Sequence, residues 1–267
     1  MRVLSSAIIG GLFLATTAGA QEVTPPPIRA FPIATIEALG REIYRQDTAA
    51  WVATDAITPL MQDFSKAHVV GWIVTPNGDG ERVRFLRETG QGLEAYYDID
   101  VDAQFHTRVF QAPDPHLTAD EIAAFNARQT AGRDLPTVCR PGYNSVVAKD
   151  PEGDGWLVWM LAPTPASGTI PVGGHYRFTI SRDGKTVAQR DALSASCMVM
   201  DPKQGIPKGS KPAGVFVTHI VSPTPVETHV FLQIQAKLPM FVVAAGEIWK
   251  IDGGHITDQG KVGAPKS

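Results

Sequence analysis

Two segments in the N-terminal half carry apolar residues at helical spacing. Residues 35–55 place them on one side of a helix, with charged residues on the other side and Thr58-Pro59 as a stop. The apolar positions of this stripe are Ile36, Leu39, Ile43, Ala50 and Val52. A second helix is predicted after Thr118, which can form a capping box with Glu121, and it should end near Gly132.

Most of the remaining chain alternates apolar and polar residues, which is typical of β-strands. Turn signals such as Asn77-Gly78-Asp79-Gly80 and Arg182-Asp183-Gly184 separate the strands. The expected strands are 69–74, 82–87, 93–101, 104–110, 145–148, 156–161, 175–180, 185–192, 215–221, 227–236, 240–244 and 247–251, and 194–200 could extend the sheet. Because helices come early and strands follow one another, we expect an α+β fold. It should have a mainly antiparallel sheet of hairpins and meanders and two principal helices in the N-terminal half.

The first 20 residues have the features of a cleavable signal peptide. Arg2 precedes an apolar stretch that is shorter than the roughly 20 residues needed to span a bilayer. Ala18-Gly19-Ala20 then offers the small-x-small pattern that signal peptidases cleave. We therefore expect cleavage near Ala20, a periplasmic or secreted mature protein, most simply in a bacterial envelope, and no stable transmembrane segment after cleavage.

The rest of the chain divides by composition. The Pro-rich residues 21–32 predict an extended, poorly ordered leader. Residues 33–260 suit a single α+β domain, with a candidate sub-boundary near 132–143, and residues 261–267 suit a flexible tail. The net charge of −3, without a basic run, argues against nucleic acid as a partner.

Cys139 and Cys197 are the two cysteines of the chain. In an oxidising compartment two cysteines most simply form one disulfide, which would stabilise the fold by about 4 kcal/mol in the chain-entropy model. A reactive thiol at Cys139 is the competing interpretation, but no adjacent base or helix start marks it. A zinc site would need a C-x-x-C spacing that the sequence lacks.

Asp98, Asp100 and Asp102 alternate along a predicted strand, so their carboxylates would share one face. Their spacing resembles the start of a calcium loop, which makes them candidate metal ligands. The motif then fails, because Ala103 stands where the loop needs glycine and Val109 where it needs glutamate. We therefore favour the simpler interpretation of a solvated strand face.

His219, Glu227 and His229 are the candidate catalytic residues. The two histidines flank Ser222-Pro223-Thr224-Pro225, which we interpret as the loop of a hairpin. If the strands pair in the right register, the histidines and Glu227 could form a metal or acid–base site. The alternative is two unrelated histidines in a sheet.

No established catalytic or cofactor motif is present. The chain has no G-x-S-x-G, H-E-x-x-H, G-x-G-x-x-G or Walker loop, and we expect no cofactor. The favoured hypothesis is a non-enzymatic module that binds a protein or a small molecule of the envelope, through an aromatic surface near Trp156 or Trp159. The alternative for those tryptophans is a strand buried on both faces. The alternative function is a periplasmic hydrolase that uses a histidine and a carboxylate.

Overall fold

A computed structural model describes residues 27–61, 63–136, 139–207 and 209–263. The predicted signal peptide, residues 21–26 of the leader and residues 264–267 of the tail lie outside this part of the chain. Three helices and twelve strands are found in the described residues. In chain order they are α1 (Ile33–Ile57), β1 (Val69–Asn77), β2 (Gly80–Thr89), β3 (Gly92–Val101), β4 (Thr107–Gln111), α2 (Ala119–Arg133), β5 (Asn144–Lys149), β6 (Trp156–Leu161), β7 (Tyr176–Ile180), β8 (Val187–Ala192), β9 (Val215–His219), α3 (Glu227–Ala236), β10 (Met240–Ala244), β11 (Glu247–Asp252) and β12 (His255–Lys261).

The two predicted helices are confirmed. Helix α1 buries its apolar stripe and ends at Ile57, where Thr58 donates its backbone N–H to Thr54. Helix α2 starts with the predicted capping box: Thr118 accepts from the backbone of Glu121, and the Glu121 carboxylate accepts from the backbone of Thr118. This helix ends at Arg133, one residue beyond Gly132.

The strands form three separate four-stranded sheets rather than one. The first sheet has the order β1-β2-β3-β4 and the second the order β5-β6-β7-β8, and both are antiparallel meanders. The third has the order β12-β11-β10-β9. Mixed α and β structure with mainly antiparallel pairing is therefore confirmed, whereas the single sheet is not. Residues 194–200 do not extend the second sheet, since this segment makes only an isolated bridge from Met200 to Ile170.

The prediction for 227–236 is wrong. This segment is helix α3, not a strand, and it connects β9 to β10, which run parallel. Parallel neighbours need a crossover of this kind, whereas a hairpin would have made them antiparallel. The fold thus has a third helix, and that helix lies in the C-terminal half.

Strand β6 is buried on both faces, as the simpler interpretation of its tryptophans predicted. Trp159 is 0 % exposed and packs with α1, α3 and the third sheet, while Trp156 is 6 % exposed and packs against α2. An aromatic binding surface at these two residues is therefore excluded. Any exposed aromatic surface of the protein must therefore be formed by other residues.

Helix α1 connects the cores of the protein. Its N-terminal half contributes Ile36, Leu39 and Ile43 to the core between the second and third sheets. Its C-terminal half contributes Ala49, Ala53 and Ile57 to the core over the first sheet. A continuous helix that packs on all three sheets fixes the segments on either side of it.

Cys139 and Cys197 form the predicted disulfide, with their Cα atoms 5.6 Å apart. Gly174 lies against this bridge, because a Cβ at that residue would be 2.1 Å from the sulfur of Cys139. The described end of the leader is also held in place: Arg29 pairs with Asp150 at 2.5 Å and Phe31 is buried. No helix among the described residues combines the length and apolarity needed to span a bilayer.

Candidate functional site

The three predicted catalytic residues lie close together, but not in a hairpin. His219 ends β9, and Glu227 and His229 lie in the first turn of α3. The imidazole rings of His219 and His229 meet edge to face with their centroids 4.8 Å apart. Glu227 is directed away from this contact: its Oε1 accepts from the indole of Trp159 at 2.7 Å and from Arg177 at 2.8 Å.

Hydrogen bonds fix the protonation of both rings. Nδ1 of His229 accepts from the backbone N–H of Val226 at 3.1 Å, in the way that a glutamate side chain does in a capping box. Nε2 of His219 lies 2.7 Å from Oγ of Ser222, and that hydroxyl donates to the carbonyl of Thr224 at 2.6 Å. His219 must therefore donate to the serine. This direction is opposite to the one in which a histidine activates a serine nucleophile.

Burial keeps these histidines neutral. Loss of hydration lowers the pKa of His219 to about 4 and holds the pKa of His229 well below its usual value, with a further lowering by His219 and His175. His175 is buried nearby, and burial lowers its pKa to about 4. Its ring accepts from Ala162 and donates to the carbonyl of Pro171. These contacts favour a structural role for all three rings.

Arg177 organises a buried ionic centre that no motif in the sequence indicates. The residue is 1 % exposed, donates to Asp191 at 2.7 Å and to Glu227 at 2.8 Å, and also donates to the carbonyl of Arg29. Its guanidinium lies 4.7 Å from the ring centroid of Phe31. The centre thus joins β7, β8, α3 and the leader, and its carboxylates are committed to this role.

The three aspartates predicted on one strand are also engaged, two of them by arginines and the third by a turn. Asp98 is buried against Arg84 at 2.9 Å, so the prediction of a fully solvated strand face is wrong at this residue. Asp100 pairs with Arg82 at 2.7 Å, and Asp102 follows the strand and accepts from His106. In the described residues no cluster of histidine, cysteine, aspartate or glutamate has the arrangement of a metal site.

A large concave surface lies elsewhere, where α3 ends and leaves a face of α1 uncovered. This cavity of about 820 Å³ is bounded by α1, the start of β1 and of β5, the 163–167 loop and the end of α3. We call it the Trp51 groove, and define it by Tyr44, Asp47, Trp51, Trp72, Asn144 and Lys237.

Aromatic side chains form much of the groove. Trp51 is 62 % exposed, which is unusual for so large an apolar side chain. Tyr44 packs edge-on against Phe105, with the ring centroids 5.9 Å apart. The guanidinium of Arg128 lies 3.5 Å from the ring centroid of Trp72 and donates to its carbonyl. Tyr44 and Trp72 are therefore held in position before any ligand binds.

Asp47 places a carboxyl group among these rings. It is half-buried, and its Oδ1 accepts from the side-chain amide of Asn144 at 3.0 Å. Loss of hydration raises the pKa of Asp47 to about 6, although the Asn144 hydrogen bond lowers it. Threonine, serine and glutamine side chains complete the lining, so the groove offers hydrogen-bonding groups beside its aromatic rings.

Part of the groove has a signal in the sequence. Tyr44, Thr48 and Trp51 recur at helical spacing on the face of α1 next to the buried stripe. An aromatic pair on a helix face outside the core stripe indicates a surface contact. The partners from β5 and α3 could not be found in this way, because only the tertiary fold brings them to α1.

Comparison with known proteins gives no relative: no protein-family model, no curated protein sequence and no solved structure matches this chain.

Proposed function

We propose that this protein is a non-catalytic binding module of the cell envelope that holds a saccharide in the Trp51 groove. The observation that carries the proposal is an indole 62 % exposed beside a half-buried carboxyl in a cavity of about 820 Å³. Ligand sites are typically concave and aromatic, with a few polar groups that fix orientation.

The chemistry of the lining matches a sugar ring. A pyranose has a flat C–H face, which packs on an aromatic ring, and a rim of hydroxyls that donate and accept hydrogen bonds. Trp51 supplies an exposed ring, and Asp47 with Asn144 supplies acceptors and a donor. The exported compartment predicted from residues 1–20, together with the Cys139–Cys197 disulfide, fits a ligand found in the envelope.

The hydrolase alternative has less support. His219 and His229 are neutral and buried, and Glu227 pairs with Arg177 rather than with either imidazole. A general base needs an accessible lone pair near the substrate and a pKa near the working pH. The Trp51 groove, by contrast, is open, and its rings Tyr44 and Trp72 are held in position before any ligand binds.

The test is calorimetric titration of the mature protein with neutral tetrasaccharides: cellotetraose, chitotetraose and maltotetraose. We expect at least one to bind, and Trp51→Ala to weaken that binding by at least tenfold, the usual effect of removing an aromatic hot spot. Phe216→Ala is the matched control, because Phe216 is 63 % exposed but lies on the third sheet, away from the groove. Equal affinity of the Trp51→Ala and wild-type proteins for a saccharide that binds, or no binding of either these or acidic tetrasaccharides, would exclude the proposal.

A further inference from the structure

A second cavity continues the Trp51 groove along the same helix. Its volume is about 510 Å³, and it shares Tyr44 and Lys237 with the groove. Arg41 and Arg45 from α1 also line it, so we call it the cationic cavity and define it by Arg41, Arg45 and Lys237. The two cavities together run from Arg41 to Thr54, a distance of about 20 Å at the rise of an α-helix. This length suits an oligomer rather than a single sugar.

Lys237 and part of the Arg41 guanidinium are available to a ligand in the cationic cavity. Arg45 is committed, because it pairs with Glu42 and with Glu81. Arg41 donates through Nη1 to the carbonyl of Gly254 at 2.9 Å, and the same nitrogen pairs with the Glu37 carboxylate at 3.7 Å, while Nε and Nη2 make no hydrogen bond within the described residues. The ammonium of Lys237 is exposed and makes no hydrogen bond or ion pair within the described part of the chain.

The negative charges near this cavity are already engaged. Asp252 pairs with Lys250 at 2.8 Å. Glu37 pairs with Arg41 at 3.7 Å and accepts from the backbone of Ile256 at 2.7 Å. Among the charges that line the cavity, Lys237 is therefore the one that has no partner of opposite sign in the described residues.

The backbone of Lys237 supports a function for its side chain. Lys237 caps α3 with a left-handed conformation, at φ 54°, and its N–H donates to the carbonyl of Gln233. Glycine is the usual residue at this position, since any side chain there adds steric strain. The side chain of Lys237 lines both cavities and belongs to neither of the hydrophobic cores to which α1 contributes. A strained residue in such a place points to a role in binding.

We propose that the ligand of the Trp51 groove is an acidic oligosaccharide whose carboxylates are bound by Lys237 and Arg41 in the cationic cavity. This inference rests on the proposed saccharide binding and adds the charge and the length of the ligand. A sugar ring packs on Trp51, and the uronic-acid carboxylates of neighbouring rings reach the two cations.

The test compares acidic and neutral tetrasaccharides at one salt concentration. The acidic probes are tetragalacturonate, tetramannuronate and a hyaluronan tetrasaccharide, and the neutral probes are those named above. We expect at least one acidic probe to bind at least tenfold more tightly than the best neutral probe, with an affinity that falls as NaCl is raised.

Lys237→Gly separates binding from stability. The variant should lose at least tenfold more affinity for the acidic probe than for the neutral probe. It should also unfold about 2 °C higher or more, because glycine relieves the strained cap. Lys211→Gly, an exposed lysine outside both cavities, is the matched control and should change neither affinity.

Each remaining outcome decides between the two proposals. Neutral binding that depends on Trp51, without an acidic preference or an effect of Lys237→Gly, would overturn this inference and leave the proposed function intact. Binding of galacturonate monomer or inorganic phosphate as tight as that of the tetramer, and unaffected by Trp51→Ala, would replace it with a free-anion site. No binding of either class overturns both proposals.

Discussion

Asp47 is the residue at which the proposed binding surface costs stability. Its carboxyl has a pKa of about 6 in the fold against a usual 3.8, because burial disfavours the charged form. A raised carboxyl pKa means that the stabilising contribution is complete below pH 3.8 and is lost as pH rises through 6. Above that pH the ionised group destabilises the fold by about 1–3 kcal/mol, after allowance for its partial exposure.

Asp47→Asn should remove this cost. We expect the variant to exceed the wild type in free energy of unfolding by about 1–3 kcal/mol at pH 8 and to match it near pH 3.5. Urea denaturation at both pH values measures the difference. Asp55→Asn, at an exposed position on the same helix, serves as the control and should change little at either pH. A wild-type protein as stable as the variant at pH 8 would contradict the prediction.

The partners of individual residues could be predicted where the sequence signal was local or compositional. Two cysteines in a chain with a predicted export signal predicted the Cys139–Cys197 bridge correctly. The alternation of Asp98 with Asp100 did not indicate the ion pair of Asp98 with Arg84, which lies opposite it on the adjacent strand. Arg177 and Asp47 gave no signal either, because their partners are distant in the sequence: Glu227 is 50 residues from Arg177, and Asn144 is 97 residues from Asp47.

Among the elements, α1 and α2 could be predicted and α3 could not. Helix α1 has a buried apolar stripe and a solvent-exposed polar face, and α2 has a capping box. Helix α3 is buried nearly all round in its first two turns, so its sequence lacks the 3.6-residue alternation. Its β-branched and aromatic residues favour a strand locally. Its cap is also unusual, since the ring of His229 replaces the expected glutamate.

The close crossing of α1 and α3 can be tested at Gly40. A Cβ there would lie 2.4 Å from Cβ of Val230 and 2.7 Å from the carbonyl of Glu227. Alanine normally stabilises a helix relative to glycine by about 1 kcal/mol, but here we expect Gly40→Ala to destabilise the protein by about 1–3 kcal/mol through overpacking.

Gly132→Ala is the matched control on α2. Gly132 is exposed, and a Cβ there would have no heavy atom within 4 Å, so the substitution should stabilise by about 0.5–1 kcal/mol. Guanidinium denaturation of both variants gives the comparison. If Gly40→Ala were as favourable as Gly132→Ala, the two helices could not approach as closely as described.

For the whole molecule, the sequence predicted the class and most strands but not their grouping. The turn signals that join neighbouring strands are local, and they correctly predicted the meanders of the first and second sheets. The division into three sheets depends on α1 packing between them and on the β9–α3–β10 crossover. These contacts join residues far apart in the chain, so periodicity alone could not reveal them.

The three buried histidines couple the stability of the whole fold to pH. Histidine in an unfolded chain has a pKa near 6.5, whereas burial lowers the pKa of His175 and of His219 to about 4 and that of His229 well below its usual value. A lowered histidine pKa gives stability that is present above pH 6.5 and is lost as pH falls towards 4. At pH 5 the contribution of His175 to the free energy of unfolding should be about 2 kcal/mol smaller than at pH 7, and that of His219 should fall by about the same amount.

We therefore expect the free energy of unfolding to fall by about 4 kcal/mol or more between pH 7 and pH 5. The measurement is urea denaturation in the Asp47→Asn background, because ionisation of Asp47 acts in the opposite sense over this range. His219→Gln keeps a donor for Ser222 and should reduce the fall by about 2 kcal/mol. His116→Gln, whose side chain is 90 % exposed, should not change it. A stability that stays constant from pH 7 to pH 5 would mean that these rings are hydrated and can take up protons in the folded protein, contrary to their position between β9, α3 and the second sheet.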